Sequence, residues 1–133
     1  MTSELAKTLG AEKGAATLLV LFIPSVDRHE QPVDQDAWVD RALEFLGSNF
    51  GGATAFPKAK GVWRDDVRAG TLVFDEPVII NCYTSEELIE DRANQLRTFL
   101  LQMGTDLRQG AVGLVIDRDY LEIVFPLEDE TDG

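Results

Sequence analysis

TLLVLFI, residues 17–23, is the stretch that decides the fold. It is an unbroken apolar run that ends at Pro24, with β-branched or aromatic side chains on both sides of an extended chain. Such a run is typical of a strand buried on both faces, so it predicts a central strand of a sheet. The run is far shorter than the roughly 20 apolar residues of a membrane span. The mixed charges before it are unlike a signal peptide.

Two periodic segments predict amphipathic helices. The first follows Asp34, a suitable N-cap, and is predicted to end at Gly47. The second follows a capping box in which Thr84 is the cap and Glu87 reaches back, and Gly104 is predicted to end it. The stripes that face the core are Trp38, Ala42 and Phe45 in the first helix, and Ile89, Ala93, Leu96, Leu100 and Met103 in the second.

The remaining segments read as strands. One contains Val62 and Trp63, and the next is TLVFDEPVIINCYT, residues 71–84, where Pro77 marks a bulge or a break beside Glu76. AVGLVI and YLEIVF, residues 111–116 and 120–125, form a hairpin. The order predicts an α+β ferredoxin-like sandwich: βαββαβ plus an extra C-terminal edge strand, with two helices on one face of a mostly antiparallel sheet. We expect a single domain over residues 1–133, with a polar N-terminal segment (about 1–14) and an acidic tail (127–133).

The charge and the cysteine count exclude several classes of protein. The chain carries 12 basic and 24 acidic residues, a formal net charge of −12. Binding to nucleic acids and to anionic membranes depends on Lys and Arg, so neither partner is expected. The single cysteine, Cys82, cannot form an intramolecular disulfide, which favours a reducing cytoplasm.

The segment FGGATAFPKAKGVWRDD, residues 50–66, needs a separate interpretation. Its paired glycines follow a helix and precede a strand, the reverse of a phosphate-binding loop, so they predict a helix stop. The basic residues around Trp63 are interleaved with aspartates, which favours a hairpin whose charges pair with acidic neighbours. Trp63 itself is expected to anchor a core.

Residues 50–54 (FGGAT) and 61–66 (GVWRDD) resemble an uncharacterised family of small bacterial proteins with an FGGAT…GVW pattern. The resemblance implies no known activity. It indicates that residues 50–66 are a shared feature, for folding or for function.

Candidate chemistry is sparse. The acidic loop that contains Asp27 and His29 lacks calcium-loop spacing, so we interpret it as a solvated loop and expect no metal and no cofactor. A dyad of Cys82 and His29 is excluded because the predicted topology places them a strand length apart. Glu76, in an apolar strand beside a proline, is the acid of most interest.

Three functions remain open. The leading interpretation is a non-catalytic protein-interaction or regulatory module that binds a protein partner or forms a homodimer, which makes an enzyme the less favoured reading. The first alternative is a small-ligand-binding protein or enzyme. The second is an acidic DNA mimic that inhibits a basic protein. The ligand pocket of the first alternative would be lined by Glu76, Trp63, Tyr83, Gly51 and Gly52.

Overall fold

The computed structural model describes residues 3–12 and 17–125. Parts of the predicted N-terminal segment and all of the acidic tail lie outside the described residues. The helices are α1 (Ser3–Leu9), α2 (Gln35–Phe50), α3 (Glu86–Asp91) and α4 (Ala93–Asp106). The strands are β1 (Thr17–Ile23), β2 (Thr54–Phe56), β3 (Gly61–Asp65), β4 (Thr71–Asp75), β5 (Val78–Thr84), β6 (Ala111–Ile116) and β7 (Asp119–Val124). None of the helices in these two ranges is both long and apolar enough to cross a membrane.

The main sheet has five strands in the order β2-β5-β1-β6-β7, and every pair is antiparallel. The four strands β6-β1-β5-β2, with α2 after β1 and α4 before β6, have the ferredoxin-like arrangement. Strand β7 is the additional edge strand. The predicted fold class is therefore confirmed, and residues 17–23 do form the central strand.

The core lies between the helices and one face of the sheet. Residues 19, 21 and 23 of β1 face the helices and are at most 1% exposed. Burying each such Leu or Ile contributes about 1.5–3 kcal/mol relative to leaving it exposed. The other core positions of the central strands and long helices include Trp38, Ala42, Leu46, Ile80, Cys82, Leu96, Leu100, Met103 and Leu114.

The second face of the sheet is only half-buried along β1, so the prediction of a β1 strand buried on both faces is wrong. Leu18, Val20 and Phe22 of β1 point to this face and are half-buried. Tyr83, on the neighbouring strand β5, and Tyr120, on the edge strand β7, are 63% and 59% exposed. We call this side of the sheet the open face. The side chains in its middle are half-buried, and Tyr83 and Tyr120 remain in contact with solvent.

Helix α2 begins as predicted, because the Asp34 carboxylate accepts a hydrogen bond from the Ala37 N–H at 3.3 Å. It does not end at Gly47. The helix continues to Phe50, and Gly51 ends it in a left-handed conformation (φ 99°), donating its N–H to the Gly47 carbonyl at 3.0 Å. Glycine adopts this conformation without the steric cost that a Cβ atom brings.

The second predicted helix differs in three details. Its cap is Ser85, whose hydroxyl accepts from the Leu88 N–H at 3.1 Å, and not Thr84. It is divided at Arg92 into α3 and α4, which leaves Ala93 exposed. It also continues past Gly104, where a Cβ atom would overlap the ring of Phe125. Gly104 therefore allows a close approach and does not stop the helix.

Strands β3 and β4 are not part of the main sheet. They form a separate two-stranded ribbon, residues 61–75, which we call the arm. The strand predicted around Val62 and Trp63 lies in the arm, and the place beside β5 in the main sheet is taken by Thr54–Phe56. The break falls at Glu76 and Pro77, as the sequence predicts, because proline has no N–H to donate to the ladder.

Candidate functional site

A hydrogen-bonded cluster lies where the arm meets the main sheet. Asp75 Oδ1 accepts from the Ser25 N–H at 2.9 Å and also from the Ser25 hydroxyl. The same hydroxyl oxygen accepts from the Glu76 N–H at 2.9 Å. On the other side, Gln35 Nε2 donates to the Glu76 carbonyl at 3.0 Å. Ser25 follows β1, Gln35 begins α2 and Glu76 follows β4, so three elements meet at this point, which we call the arm base.

The side chain of Glu76 is exposed, whereas its main chain is held by these contacts. The carboxylate is therefore available to a ligand at a position set by a rigid backbone. Asp75 beside it is half-buried and is engaged with Ser25. Two adjacent carboxylates with different surroundings favour a cationic group on the ligand, bound by the exposed member of the pair.

Trp63 supplies an aromatic surface near the arm base. Gly61 pairs with Asp75 and Trp63 pairs with Val73, so Trp63 and Asp75 are diagonal neighbours on one face of the arm. Diagonal neighbours in a ladder are about 7–8 Å apart. Val73 is 1% exposed, so this face turns towards the protein, but Trp63 at its rim is 47% exposed. The expectation that Trp63 anchors a core is wrong.

The charges of the arm pair internally and with the loop after β1, as the sequence predicts. Arg64 contacts Asp66 at 2.6 Å, and Arg68 contacts Asp65 at 2.7 Å and Glu30 at 3.4 Å. The hydrogen bond and charge of Asp65 raise the pKa of Arg68, and the pKa of Asp65 is lowered in return. These arginines are therefore engaged by carboxylates.

The predicted site residues fall into two groups at opposite ends of β5. Glu76 and Trp63 lie at the arm end. Tyr83 lies seven positions further along and projects from the open face, and Gly51 and Gly52 lead into β2 at that same far end. At about 3.3 Å per residue the two groups are roughly 20 Å apart. Glu76 and Trp63 therefore both lie towards the arm end of β5, and the structure does not bring the other three residues to them.

Gly51 and Gly52 have a structural role that the sequence already suggested. Gly51 ends α2, and a Cβ atom at either glycine would meet nothing within 4 Å. Neither position therefore requires glycine for the close approach of another part of the described chain.

The acidic loop after β1 is organised around a buried carboxylate. Asp27 is 4% exposed and accepts from the His29 N–H at 2.8 Å, the Gln31 N–H at 3.0 Å and Arg108 Nε at 2.9 Å. The interpretation of this loop as simply solvated is therefore wrong for Asp27. Within residues 3–12 and 17–125, no group of three or more His, Cys, Asp or Glu is arranged to hold a metal ion.

Cys82 is fully buried in β5, and this burial raises the pKa of its thiol. It lies opposite Leu19 near the start of β1, while His29 follows the end of that strand. The structure therefore agrees with the exclusion of a Cys82–His29 dyad.

A cavity of about 380 Å³ lies elsewhere, as an open groove between α2 and α4. Phe45 and Phe99 stack at its base with ring centroids 4.5 Å apart. It contains none of the predicted site residues, and it is lined by Phe45, Asn94, Gln95, Thr98, Phe99 and Gln102. Amides and rings alone offer hydrogen bonds and stacking but no titratable group for catalysis.

Sequence reasoning missed Ser25 and Gln35. Ser25 reaches Asp75 across 50 positions of the chain, and Gln35 reaches Glu76 across 41. No local spacing rule connects residues so far apart. The one available signal was the position of Ser25 directly after the central strand, which places it at a sheet end.

Comparisons with known proteins give a fold match only. No family model matches the chain, and no curated protein does. Among solved structures, it is similar to a phage SAM lyase in complex with S-methyl-5'-thioadenosine, with a TM-score of 0.62 and 20% identity over 85% of this chain and 92% of that one. It is also similar to a phage SAM lyase in the apo state, with a TM-score of 0.59 and 18% identity over the same shares.

These neighbours correct the leading functional interpretation. A non-catalytic interaction or regulatory module is contradicted, because both structural neighbours are chains of an enzyme and one of them holds a small ligand. The alternative of a small-ligand-binding protein or enzyme agrees better with them.

Proposed function

We propose that this chain is an enzyme that binds S-adenosyl-L-methionine at the arm base and cleaves it with release of S-methyl-5'-thioadenosine. The observation that carries the proposal is the fold match to a phage SAM lyase with that thioether bound, over 92% of the neighbour's length. The arm base supports it with an exposed carboxylate and an exposed aromatic ring of the kind that a cationic nucleoside requires.

The proposed cleavage needs few catalytic groups from the protein. Release of the thioether breaks the bond between the sulfonium sulfur and the γ-carbon of the methionine part, and the bonding pair moves to sulfur. The leaving group is neutral, so no proton donor is needed. The four-carbon fragment either closes to a lactone through its own carboxylate oxygen or loses a β-proton to a base and becomes an alkene. Both routes balance, and the product distinguishes them.

This reaction determines which charge Glu76 should contact. The sulfonium loses its positive charge in the transition state, so a carboxylate on sulfur would stabilise the substrate more than the transition state and slow the reaction. The substrate ammonium keeps its charge in lactone closure and in elimination. We therefore assign the ammonium to Glu76 and the adenine ring to Trp63, where stacking is worth about 1–3 kcal/mol.

The test is direct incubation of the purified protein with S-adenosyl-L-methionine, followed by mass spectrometry of the nucleoside and the four-carbon product. We expect S-methyl-5'-thioadenosine to accumulate above the rate of spontaneous breakdown. Glu76→Gln removes a charge-assisted hydrogen bond worth about 1.5–3 kcal/mol, so kcat/KM should fall about 10- to 100-fold. Trp63→Ala should raise KM, whereas Trp63→Phe, which keeps a ring, should raise it less.

Glu90→Gln is the matched control, because Glu90 is an exposed glutamate on α3, away from the arm base. It removes the same charge and should leave kcat/KM within about twofold of the unmodified protein. A folded protein that produces no thioether contradicts the proposed activity. An active Glu76→Gln variant contradicts the site while leaving the activity in place.

A further inference from the structure

We infer that Ser25 and Gln35 are positioning residues, which clamp the main chain of Glu76 and fix the place of its carboxylate at the arm base. The inference rests on the proposed function, since it extends the same site to two residues that do not contact substrate. Asp75 takes part by orienting Ser25.

The hydrogen-bond directions make the clamp specific. A serine hydroxyl has one proton to donate. Ser25 directs it to Asp75 Oδ1, which also accepts the Ser25 N–H at 2.9 Å. The oxygen of that hydroxyl is then left as an acceptor, and the Glu76 N–H donates to it at 2.9 Å. Asp75 thus fixes the orientation of the Ser25 hydroxyl, and in this orientation the hydroxyl oxygen accepts the hydrogen bond from Glu76.

Gln35 holds the next peptide unit along the chain, at the carbonyl of the same residue, Glu76. Gln35 is 5% exposed, and its Nε2 donates to the Ile23 carbonyl and to the Glu76 carbonyl, each at 3.0 Å. Its Oε1 is buried without a hydrogen-bond partner among the described residues. An unpaired buried polar atom costs about 1–3 kcal/mol. The two N–H donors of the Gln35 amide explain why this residue is kept at the start of α2 despite that cost. They join the end of β1, at Ile23, to the strand break, at Glu76.

The break needs such support because its main chain has few other hydrogen bonds; the Pro77 carbonyl accepts one, from the Ala59 N–H at 2.9 Å. Pro77 has no N–H, and the arm and main sheet are separate on either side of it. Without the clamp, rotation about the Glu76 main chain would move both its carboxylate and the arm that carries Trp63. In the proposed complex such a movement would take the carboxylate out of contact with the substrate ammonium, so a fixed backbone matters even though the carboxylate is exposed.

The activity test uses Ser25→Ala, which removes the acceptor, and Ser25→Thr, which keeps it. Ser25→Ala should raise KM about 10-fold with kcat changed less, because the contact of Glu76 with the ammonium is the same in the substrate and in the transition state, and Ser25→Thr should recover most of the affinity. In a Glu76→Gln background Ser25→Ala should have no further effect, because Ser25 acts through Glu76. Ser85→Ala is the matched control: it removes the cap of α3, so it should lower stability and leave both kcat and KM unchanged.

Amide hydrogen exchange at Glu76 supplies a measurement that does not depend on activity. We expect exchange about 10-fold faster in Ser25→Ala and unchanged in Ser85→Ala. The chain has two tryptophans, Trp38 and Trp63, so 5-fluorotryptophan labelling should give two ¹⁹F signals, and the signal of Trp63 should shift in Ser25→Ala.

The outcomes separate the inference from the proposed function. If the unmodified protein cleaves the substrate and Ser25→Ala is equally active, the clamp is overturned and the activity stands. If the unmodified protein is inactive, the proposed function fails, and hydrogen exchange decides the clamp alone. Faster exchange at Glu76 then supports the clamp, and unchanged exchange overturns it.

Discussion

At the scale of single residues, Asp27 shows how one carboxylate can organise a loop. Burial raises its pKa, but the Gln31 N–H, Arg108 and the His29 N–H together outweigh burial and hold the pKa below its ordinary value. A carboxyl group with a lowered folded-state pKa stabilises the protein at pH values above its unfolded-state pKa, about 4. This contribution is lost as the pH falls through the lower, folded-state pKa.

Asp27→Asn should therefore lower the free energy of unfolding by about 1–3 kcal/mol at pH 7. The difference from the unmodified protein should shrink as the pH falls below about 4, because the native carboxyl group then also becomes neutral. Urea unfolding at pH 7, 5 and 3 measures this. Asp34→Asn is the control, since asparagine caps a helix about as well as aspartate. A difference that stays constant across the pH range would show that shape, and not charge, explains the effect.

The two aspartates also show what sequence can predict at this scale. Asp34 acts on a residue three positions away, within the reach of capping rules, and its role is confirmed. Asp27 contacts Arg108 across 81 positions, and the loop closes on itself through a bridge between Val26 and Pro32. Neither contact is visible in local spacing. The sequence singles out Glu76 because it lies beside a proline in an apolar strand, and Trp63 because it lies among basic residues. Their roles as site residues stay predictions.

At the scale of elements, two glycines that were both predicted to end helices have different roles. Gly47 lies inside α2, and a Cβ atom there would meet nothing within 4 Å. Gly104 lies inside α4 under Phe125 and Val112. A glycine in a helix interior costs about 1 kcal/mol relative to alanine, so helix propensity alone predicts that both alanine substitutions stabilise the protein.

We expect Gly47→Ala to raise the free energy of unfolding by about 0.5–1 kcal/mol. Gly104→Ala should lower it by about 1 kcal/mol, because displacing the Phe125 ring costs more than the helix gains. Chemical denaturation of the two variants measures both values. Gly104→Ala combined with Phe125→Ala relieves the overlap, so the added alanine should then stabilise the protein. Stabilisation by Gly104→Ala in the unmodified background would contradict the packing argument.

Element prediction failed where pairing, and not propensity, decides the structure. Hydrophobic alternation identified β3 and β4 as extended segments, but alternation does not tell whether a strand joins the main sheet or a separate ribbon. Strand β2 has three residues, too few for a period to be recognised. The break at Pro77 was predictable because it follows from a missing N–H, and the division of the sheet into two parts is its consequence.

At the scale of the whole molecule, the open face of the sheet has few charged side chains, although the chain as a whole is strongly acidic. By strand register, Glu122 is the charged residue among the outward-facing positions of the five main-sheet strands. Tyr120 lies over Gly113 on this face, where burial and Glu122 raise the pKa of its hydroxyl. A face with aromatic side chains and a single charged strand position, on a chain of net charge −12, is where a second copy could approach with least repulsion. The homodimer stays a prediction.

The net charge of −12 makes a prediction about the proposed substrate and product. S-adenosyl-L-methionine carries a sulfonium, an ammonium and a carboxylate, so it is a net cation, whereas S-methyl-5'-thioadenosine is neutral. The electrostatic field of an acidic protein attracts the cationic substrate and not the neutral thioether, and salt screens that attraction over a Debye length of about 10 Å at 0.1 M.

Raising NaCl from about 20 to about 500 mM should therefore increase the KM for the substrate several-fold and change the Kd of the thioether less than twofold. Steady-state kinetics and calorimetry measure the two constants, and the neutral product serves as an internal control because it shares the 5'-deoxyadenosyl group and the S-methyl group with the substrate. Equal salt dependence of both constants would contradict an electrostatic role for the acidic surface in recognition, since salt would then be acting on the protein and not on the charge of the ligand.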